Sequence, residues 1–287
     1  MMVLIVGAGG QLGRALQETA SRDVTIVAAG RELLDVTDHS AVTKLIAKTE
    51  PDIIINASAY NAVDKAEAEP EIARAVNAAA VETLARSAAE IGARFVHVST
   101  DFVFDGTKGS AYRPEDLPAP LSVYGLTKWE GERFAAAMAP GSLIVRTSWV
   151  YATEGKNFVH TMLRAMAKSD VRVVTDQIGT PTFAPALARA LWSLIRQKAE
   201  GIYHYSDCGV ASWYDFAVAI QEEARVIGLL QSSLQIIPIV SDEWPAPARR
   251  PKFSVLDKTK TWKALGATAP HWRVNLREML HMVKHHG

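Results

Sequence analysis

The chain has 287 residues, 48% apolar and 22% charged, with 31 basic side chains against 31 acidic. This is the composition of an ordinary globular protein. It lacks the basic field with which a whole chain binds nucleic acid or an anionic membrane. Cys208 is the only cysteine, which excludes an intramolecular disulfide and suits a reducing, cytoplasmic compartment.

The opening MMVLIVGAGG reads as a strand running into a glycine turn rather than as a cleavable leader. No apolar run approaches the ~20 residues of a spanning helix. Residues 2–7 predict a buried strand, and 11–20 a helix with Leu12 and Leu16 on one face. A second strand follows at 24–29. Residues 38–50 predict a helix capped by Asp38, with Val42, Leu45 and Ile46 on its apolar side. A third strand lies at 51–58. A long helix spans 70–92, with proline near its start and glycine at its end. Then come a fourth strand (93–100), a helix (123–138) and a fifth strand (142–148). Further strands are expected at 171–176 and 201–206, and helices at 183–198, 212–223 and 274–285.

Apolar strands separated by helices predict an α/β fold, a doubly wound parallel sheet of the Rossmann-like kind. The character changes after position 148. Six of the seven tryptophans lie there, and EWPAPARRP (243–251) must be an irregular connection. The expected division is a dinucleotide-binding domain at 1–148, with a return segment near 160–200. Residues 149–287 are then mainly a smaller α/β substrate lobe.

GAGGQLG places Gly7, Gly10 and Gly13 directly after the first strand and at the start of the first helix. Gly7 permits the tight turn, Gly10 the approach of a pyrophosphate, and Gly13 close packing of helix on strand. The helix N-terminus presents free N–H groups to phosphate. A turn that merely uses glycine is the bland alternative, but strand, helix and position agree on a dinucleotide cofactor. The second strand ends in AAGRELLDV, with Arg31 where an NAD-preferring site commonly has an acid. An arginine there accommodates a 2′-phosphate, which favours NADPH, with NADH the alternative. Against this stands an arginine that only caps the strand end. Asp35 and Val36 follow at the adenine edge, and NASAY (56–60) passes under the cofactor.

The fourth strand ends HVSTDFVF, so Ser99, Thr100 and Asp101 sit at the carboxyl edge where such sheets bind ligands. Tyr124 and Lys128, four apart, share a helix face. A free phenol titrates near ~10. A neighbouring ammonium and a cationic nicotinamide favour the phenolate and lower that value. Such a tyrosine can donate a proton to a carbonyl oxygen as hydride reaches the carbon. Arg249 and Arg250 have the planar fork that suits pyrophosphate; an interdomain salt bridge is the competing reading. His97, within a strand, reads as a packed core residue. The histidines form no metal-spaced set, so no metal site is expected.

These residues resemble the extended short-chain dehydrogenase/reductase superfamily, and within it the dTDP-4-dehydrorhamnose reductase family. The resemblance runs over nearly the whole chain, through GAGGQLG, NASAYNAVDKAEAEP (56–70), STDFVFDG (99–106), PLSVYGLTKWEGE (120–132), RTSWVY (146–151), DQIGTPT (176–182), GIYHYSDCGVASWYDFA (201–217) and PARRP (247–251). It implies that Tyr124 is the proton donor and that Lys128 tunes it and bonds the nicotinamide ribose. Thr100 then bonds the reacting oxygen. Asp101 and Trp149 contact the deoxysugar, and Gly10, Gln11, Leu12, Asp35, Val36, Ser58, Ala59 and Tyr60 line the cofactor. The implied reaction is reduction of the C4 ketone of dTDP-4-dehydro-L-rhamnose, a nucleotide sugar. Some relatives carry a metal-binding acid just past the glycine turn, where this chain has Ala15. That argues against a metal-bridged dimer but leaves a homodimer open. The alternatives are a reductase or epimerase of another nucleotide-linked 4-ketosugar, and a non-catalytic, cofactor-binding regulatory member of the fold. Related dehydratases tend to carry Asp-Glu after the threonine. Here Thr100-Asp101-Phe102 lacks the glutamate, which favours plain reduction.

Overall fold

The fold is described by a computed structural model covering residues 1–231 and 234–286. Six strands form its central sheet: β1 (Met2–Val6), β2 (Thr25–Ala29), β3 (Ile53–Asn56), β4 (Arg94–Thr100), β5 (Leu143–Thr147) and β6 (Gly201–His204). Their spatial order is β2-β1-β3-β4-β5-β6, and every pairing is parallel. Alternation of side chains across the strands divides the core. Val3, Ile5, Ile55 and Val145 face one cluster, and Leu4, Val6, Ile54 and Ile144 face another.

Helices cover both faces. The first face is packed by α1 (Gln11–Glu18) and α5 (Ala184–Arg196), through Leu12, Leu16, Leu187 and Leu191. The second is packed by α2 (His39–Thr49), α3 (Ala80–Glu90) and α4 (Val123–Met138), through Val42, Ile46, Leu84 and Ala135. This is the doubly wound architecture that the apolar strands predict. Asp38 caps α2 by accepting from the Ala41 N–H at 3.0 Å.

Local chemistry adjusts the expected boundaries. The strand read as 51–58 stops at Asn56, whose side-chain Oδ1 accepts from the Ser58 N–H at 3.1 Å and turns the chain out of the sheet. The helix read as 70–92 is interrupted by a π-helical turn at Ala75–Ala79. The strand near 171–176 is Val171–Val174, and it pairs with Ile236–Ile239 in a small sheet of its own. The strand near 201–206 is β6, the edge of the central sheet beside β5. The chain thus returns to the first sheet late, through α5 and β6. The remaining second-half helices include α6 (Trp213–Val226), which carries a Ser212–Asp215 capping box, and α7 (Trp272–His286). Residues 244–252 are irregular.

The sheet has its topological switch between β1 and β3, because the crossovers from β1 and from β3 run to opposite sides. Ligand crevices form at the carboxyl ends of strands at such a point.

Candidate active site

Gly7 leaves β1 with φ +80°, in the left-handed region that favours glycine. A Cβ there would lie 2.6 Å from the Ser58 backbone nitrogen, so the turn after β1 presses against the chain leaving β3. A Cβ on Gly13 would come within 2.3 Å of the Gly7 carbonyl oxygen, which seats α1 directly on the turn. Around Gly9 there is open space. Gly10 is the N-cap of α1 and no side chain caps the helix, so the first-turn N–H groups remain for a ligand. An anion fits this cradle, and a dinucleotide pyrophosphate has the charge and shape for it. Leu12 offers only its backbone here, since its side chain lies in the core. The Gln11 side chain accepts from Asn157 Nδ2 at 2.9 Å, bringing residues 152–157 across the mouth of the turn.

The floor comes from the end of β3. Asn56 Oδ1 holds both the N–H and the hydroxyl of Ser58. The Tyr60 N–H donates to Asn77 Oδ1 at 2.8 Å, and Asn77 Nδ2 returns a bond to the Tyr60 carbonyl. Ser58, Ala59 and Tyr60 therefore form a fixed, half-buried shelf. The Tyr60 hydroxyl donates to Glu69, and that bond pushes the phenol pKa up. At the end of β2, Arg31 is exposed. The Asp35 carboxyl is held below its usual range, first by hydrogen bonds from Thr37 and last by Arg31. Val36 packs against the core under α2.

The catalytic candidates meet at the carboxyl end of β4. Helix α4 starts at Ser122, whose hydroxyl accepts from the Gly125 N–H at 3.2 Å. A Cβ on Gly125 would lie 2.2 Å from the Phe102 carbonyl oxygen, so glycine lets α4 close onto the turn that follows Thr100. Tyr124 is then buried, edge-on to Phe102 with ring centroids 5.6 Å apart. Thr100 lies beside the phenol and works to lower its pKa. Lys128, one turn on and 2% exposed, donates from Nζ to the Val98 carbonyl at 2.7 Å.

Burial sets the electrostatics of this cluster. It pushes the Tyr124 phenol up to about 12, against the smaller lowering effect of Thr100. The lowered value expected from the Tyr/Lys spacing is therefore not a property of the chain alone: loss of water outweighs any nearby charge. Burial brings Lys128 down to about 8, with Glu132 opposing it. Asp101, 1% exposed, is raised to about 7 by burial, although Ser254 and Thr100 both donate to it, at 2.5 and 3.1 Å. His97 is fully buried and stacked on Phe95, as a core residue, and burial holds it well below its usual pKa.

The substrate-side candidates separate. Trp149 adopts φ +45°, unusual for a bulky residue, and its indole stacks on Trp213 with centroids 3.6 Å apart and planes 9° from parallel. Gly179 leaves room for that indole. Trp213 in turn lines a cleft of about 1080 Å³ that runs from Phe102, the neighbour of Tyr124, to Arg249 and Arg250. Arg249 is exposed, whereas Arg250 is engaged in an ion pair with Asp64 at 2.7 Å. The structure thus gathers Thr100, Asp101, Tyr124 and Lys128 tightly, and places Trp149 and the arginine pair around the adjoining cleft.

Comparison with known proteins identifies the family. The family described as "RmlD substrate binding domain" matches residues 1–285. A dTDP-4-dehydrorhamnose reductase of Aggregatibacter actinomycetemcomitans is 40% identical over 96% of this chain and 97% of its own. The chain belongs to the dTDP-4-dehydrorhamnose reductase family. The crystal structure of the Clostridium acetobutylicum family member superposes with a TM-score of 0.93 at 38% identity, over 99% of this chain and 100% of that one. The Bacillus anthracis reductase, solved in complex with NADP, gives 0.91 at 35% identity, over 98% and 99%.

For this member of the reductase family, several groups at the site escape sequence reasoning. Asn77 ties the Tyr60 shelf to the Thr127 hydroxyl of α4. Its signal was present: one amide within the alanine-rich run ARAVNAAAV. Asn157, which caps the helix Phe158–Met166 and reaches Gln11, was not read from the sequence, and neither was that helix. Ser254 and Asp64 gave no signal, because their partners Asp101 and Arg250 lie far away in sequence.

Proposed function

We propose that this chain catalyses NADPH-dependent reduction of the C4 ketone of dTDP-4-dehydro-L-rhamnose to dTDP-L-rhamnose, in the cytoplasm. The observation that carries the reading is the convergence of Thr100, Tyr124 and Lys128 at the end of β4, beside the glycine cradle. When bound, the nicotinamide supplies the hydride. Everything else falls to residues of the chain.

The first-turn N–H groups of α1 would hold the pyrophosphate and Arg31 the 2′-phosphate. Ser58, Ala59 and Tyr60 would support the nicotinamide half. Lys128, anchored on Val98, has further donors that would bond the ribose hydroxyls. Thr100 and Tyr124 hydrogen-bond the ketone oxygen, and Tyr124 passes its proton to that oxygen as negative charge develops there. A phenol near 12 is fully protonated at neutral pH, the form a reduction needs. Asp101 and Trp149 hold the deoxysugar, and Arg249 meets the diphosphate. NADH is the alternative hydride source. Ala15 is a buried methyl and offers no ligand, so a homodimer, if one forms, would have no metal bridge at that position.

The test is direct. Purified protein mixed with NADPH and enzymatically generated dTDP-4-dehydro-L-rhamnose should bleach the reduced-nicotinamide absorbance and yield dTDP-L-rhamnose. Stable absorbance with both NADPH and NADH would overturn the reading.

A further inference from the structure

The short helix Val63–Ala68 lies just after the cofactor shelf, and its acidic side chains point in two directions. Glu67 accepts from the Val123 N–H at 2.8 Å, the first residue of α4. Asp64 reaches the proline-rich loop. Its Oδ2 accepts from Arg250 Nη2 at 2.7 Å and its Oδ1 from the Ala248 N–H at 3.3 Å. Arg250 Nη1 closes the arrangement by donating to the Ala248 carbonyl at 3.2 Å. One carboxylate thus holds both ends of the Ala248–Arg250 turn. Its pKa is lowered, chiefly by the Arg250 bond, so the tether is ionic at neutral pH.

The loop has little else to fix its shape. Pro245, Pro247 and Pro251 cannot donate backbone hydrogen bonds, and residues 245–250 form no regular structure. Between the two tethered residues stands Arg249, which lines the large cleft and has no carboxylate partner among the described residues. The other cations of that cleft, Arg172 and Lys252, sit beside Glu243 and Asp176. Arg249 is therefore the cation left to receive an anionic group.

We propose that Asp64 is a positioning residue for the substrate: by holding Arg250 and the Ala248 N–H, it fixes the loop so that Arg249 faces the diphosphate of the nucleotide sugar. This rests on the reductase reading. It assigns Arg250 to the tether and Arg249 to the ligand. The tether also joins the substrate loop to the segment that supports the cofactor and the start of α4.

The experiment uses the full chain. Asp64→Asn should raise KM for the 4-ketosugar about fivefold, the scale of one partly exposed ion pair. Its kcat and NADPH affinity should stay within about twofold. Asp64→Glu should restore most of the KM. Trypsin should cut the Arg249–Arg250 bond faster in Asp64→Asn than in the parent, because Arg250–Pro251 resists the protease and only the freed turn offers a new site. An unchanged KM with unchanged nicking overturns the proposal. A joint fall of kcat, NADPH affinity and melting temperature also overturns it, since that is the signature of a purely structural contact. If the parent protein consumes no NADPH, the reductase reading fails separately, and the nicking rates alone decide whether Asp64 holds the loop.

Discussion

Tyr124, Lys128 and Asp101 share one dry pocket, and dryness acts on each in the direction that disfavours its charge. Tyr124 keeps its proton, so Tyr124→Phe should bind NADPH within about twofold of the parent while turnover falls by roughly 10²–10⁴; full activity would remove the phenol from the mechanism. Lys128 sits near 8, so its ammonium is complete below that pH and lost above it. The pH profile of kcat/KM, which reports the free enzyme, should therefore fall above about pH 8. Lys128→Arg keeps the charge and should abolish that limb, and a limb that persists would assign it elsewhere. For Asp101 the sign is reversed. Its folded pKa of about 7 lies above the ordinary 3.8, so the folded state binds the extra proton between those values and loses stability as pH rises through them. Asp101→Asn should melt higher than the parent at pH 8, by roughly 2–4 °C per kcal/mol recovered, and match it below pH 4. The spacing of Tyr124 and Lys128 was legible in the sequence. The direction of the phenol shift was not, because the ring is buried among Ala66, Ala73, Tyr60, Val63 and Phe102, which the fold brings together from distant segments.

Helix α4 carries these groups, and its placement depends on two features. Gly125 removes the side chain that would meet the Phe102 carbonyl. Gly125→Ala should lift the start of the helix, costing about 1–3 kcal/mol in stability and depressing kcat by displacing Tyr124 from Thr100. Unchanged melting and turnover would mean the helix start is more forgiving than its contacts. Further along, Glu132 takes two bonds from Arg146 of β5, at 2.9 and 2.7 Å, with both side chains buried. Removing one partner strands a charge, so Glu132→Gln should cost about 3–5 kcal/mol. The double change Glu132→Gln with Arg146→Met should recover part of that loss; equal instability of the single and double variants would show that pairing is not the cause. Helical periodicity predicted α4 at 123–138, and the structure has the same bounds. Its partners were hidden, since Glu132 is one of two acids in KWEGER and nothing marks it as buried until β5 is placed beside it.

At the scale of the molecule, apolar strands interleaved with helices were enough to predict a doubly wound parallel sheet, because that pattern has few compact solutions. The glycine turn and the STD strand end were legible for the same reason: topology puts strand carboxyl ends together. The pairing of β6 with β5, and of Val171–Val174 with Ile236–Ile239, could not be read, since short apolar strands of similar composition do not encode their neighbour. Asp64 with Arg250 and Asp101 with Ser254 are likewise products of the late return of the chain.

The Trp149–Trp213 stack has an optical consequence. Two indoles 3.6 Å apart and nearly parallel couple their excited states. The protein should therefore show a paired positive and negative band in ultraviolet circular dichroism that neither single tryptophan variant retains. Because Trp213 lines the cleft, the amplitude of that band is a label-free optical signal for ligand entering it.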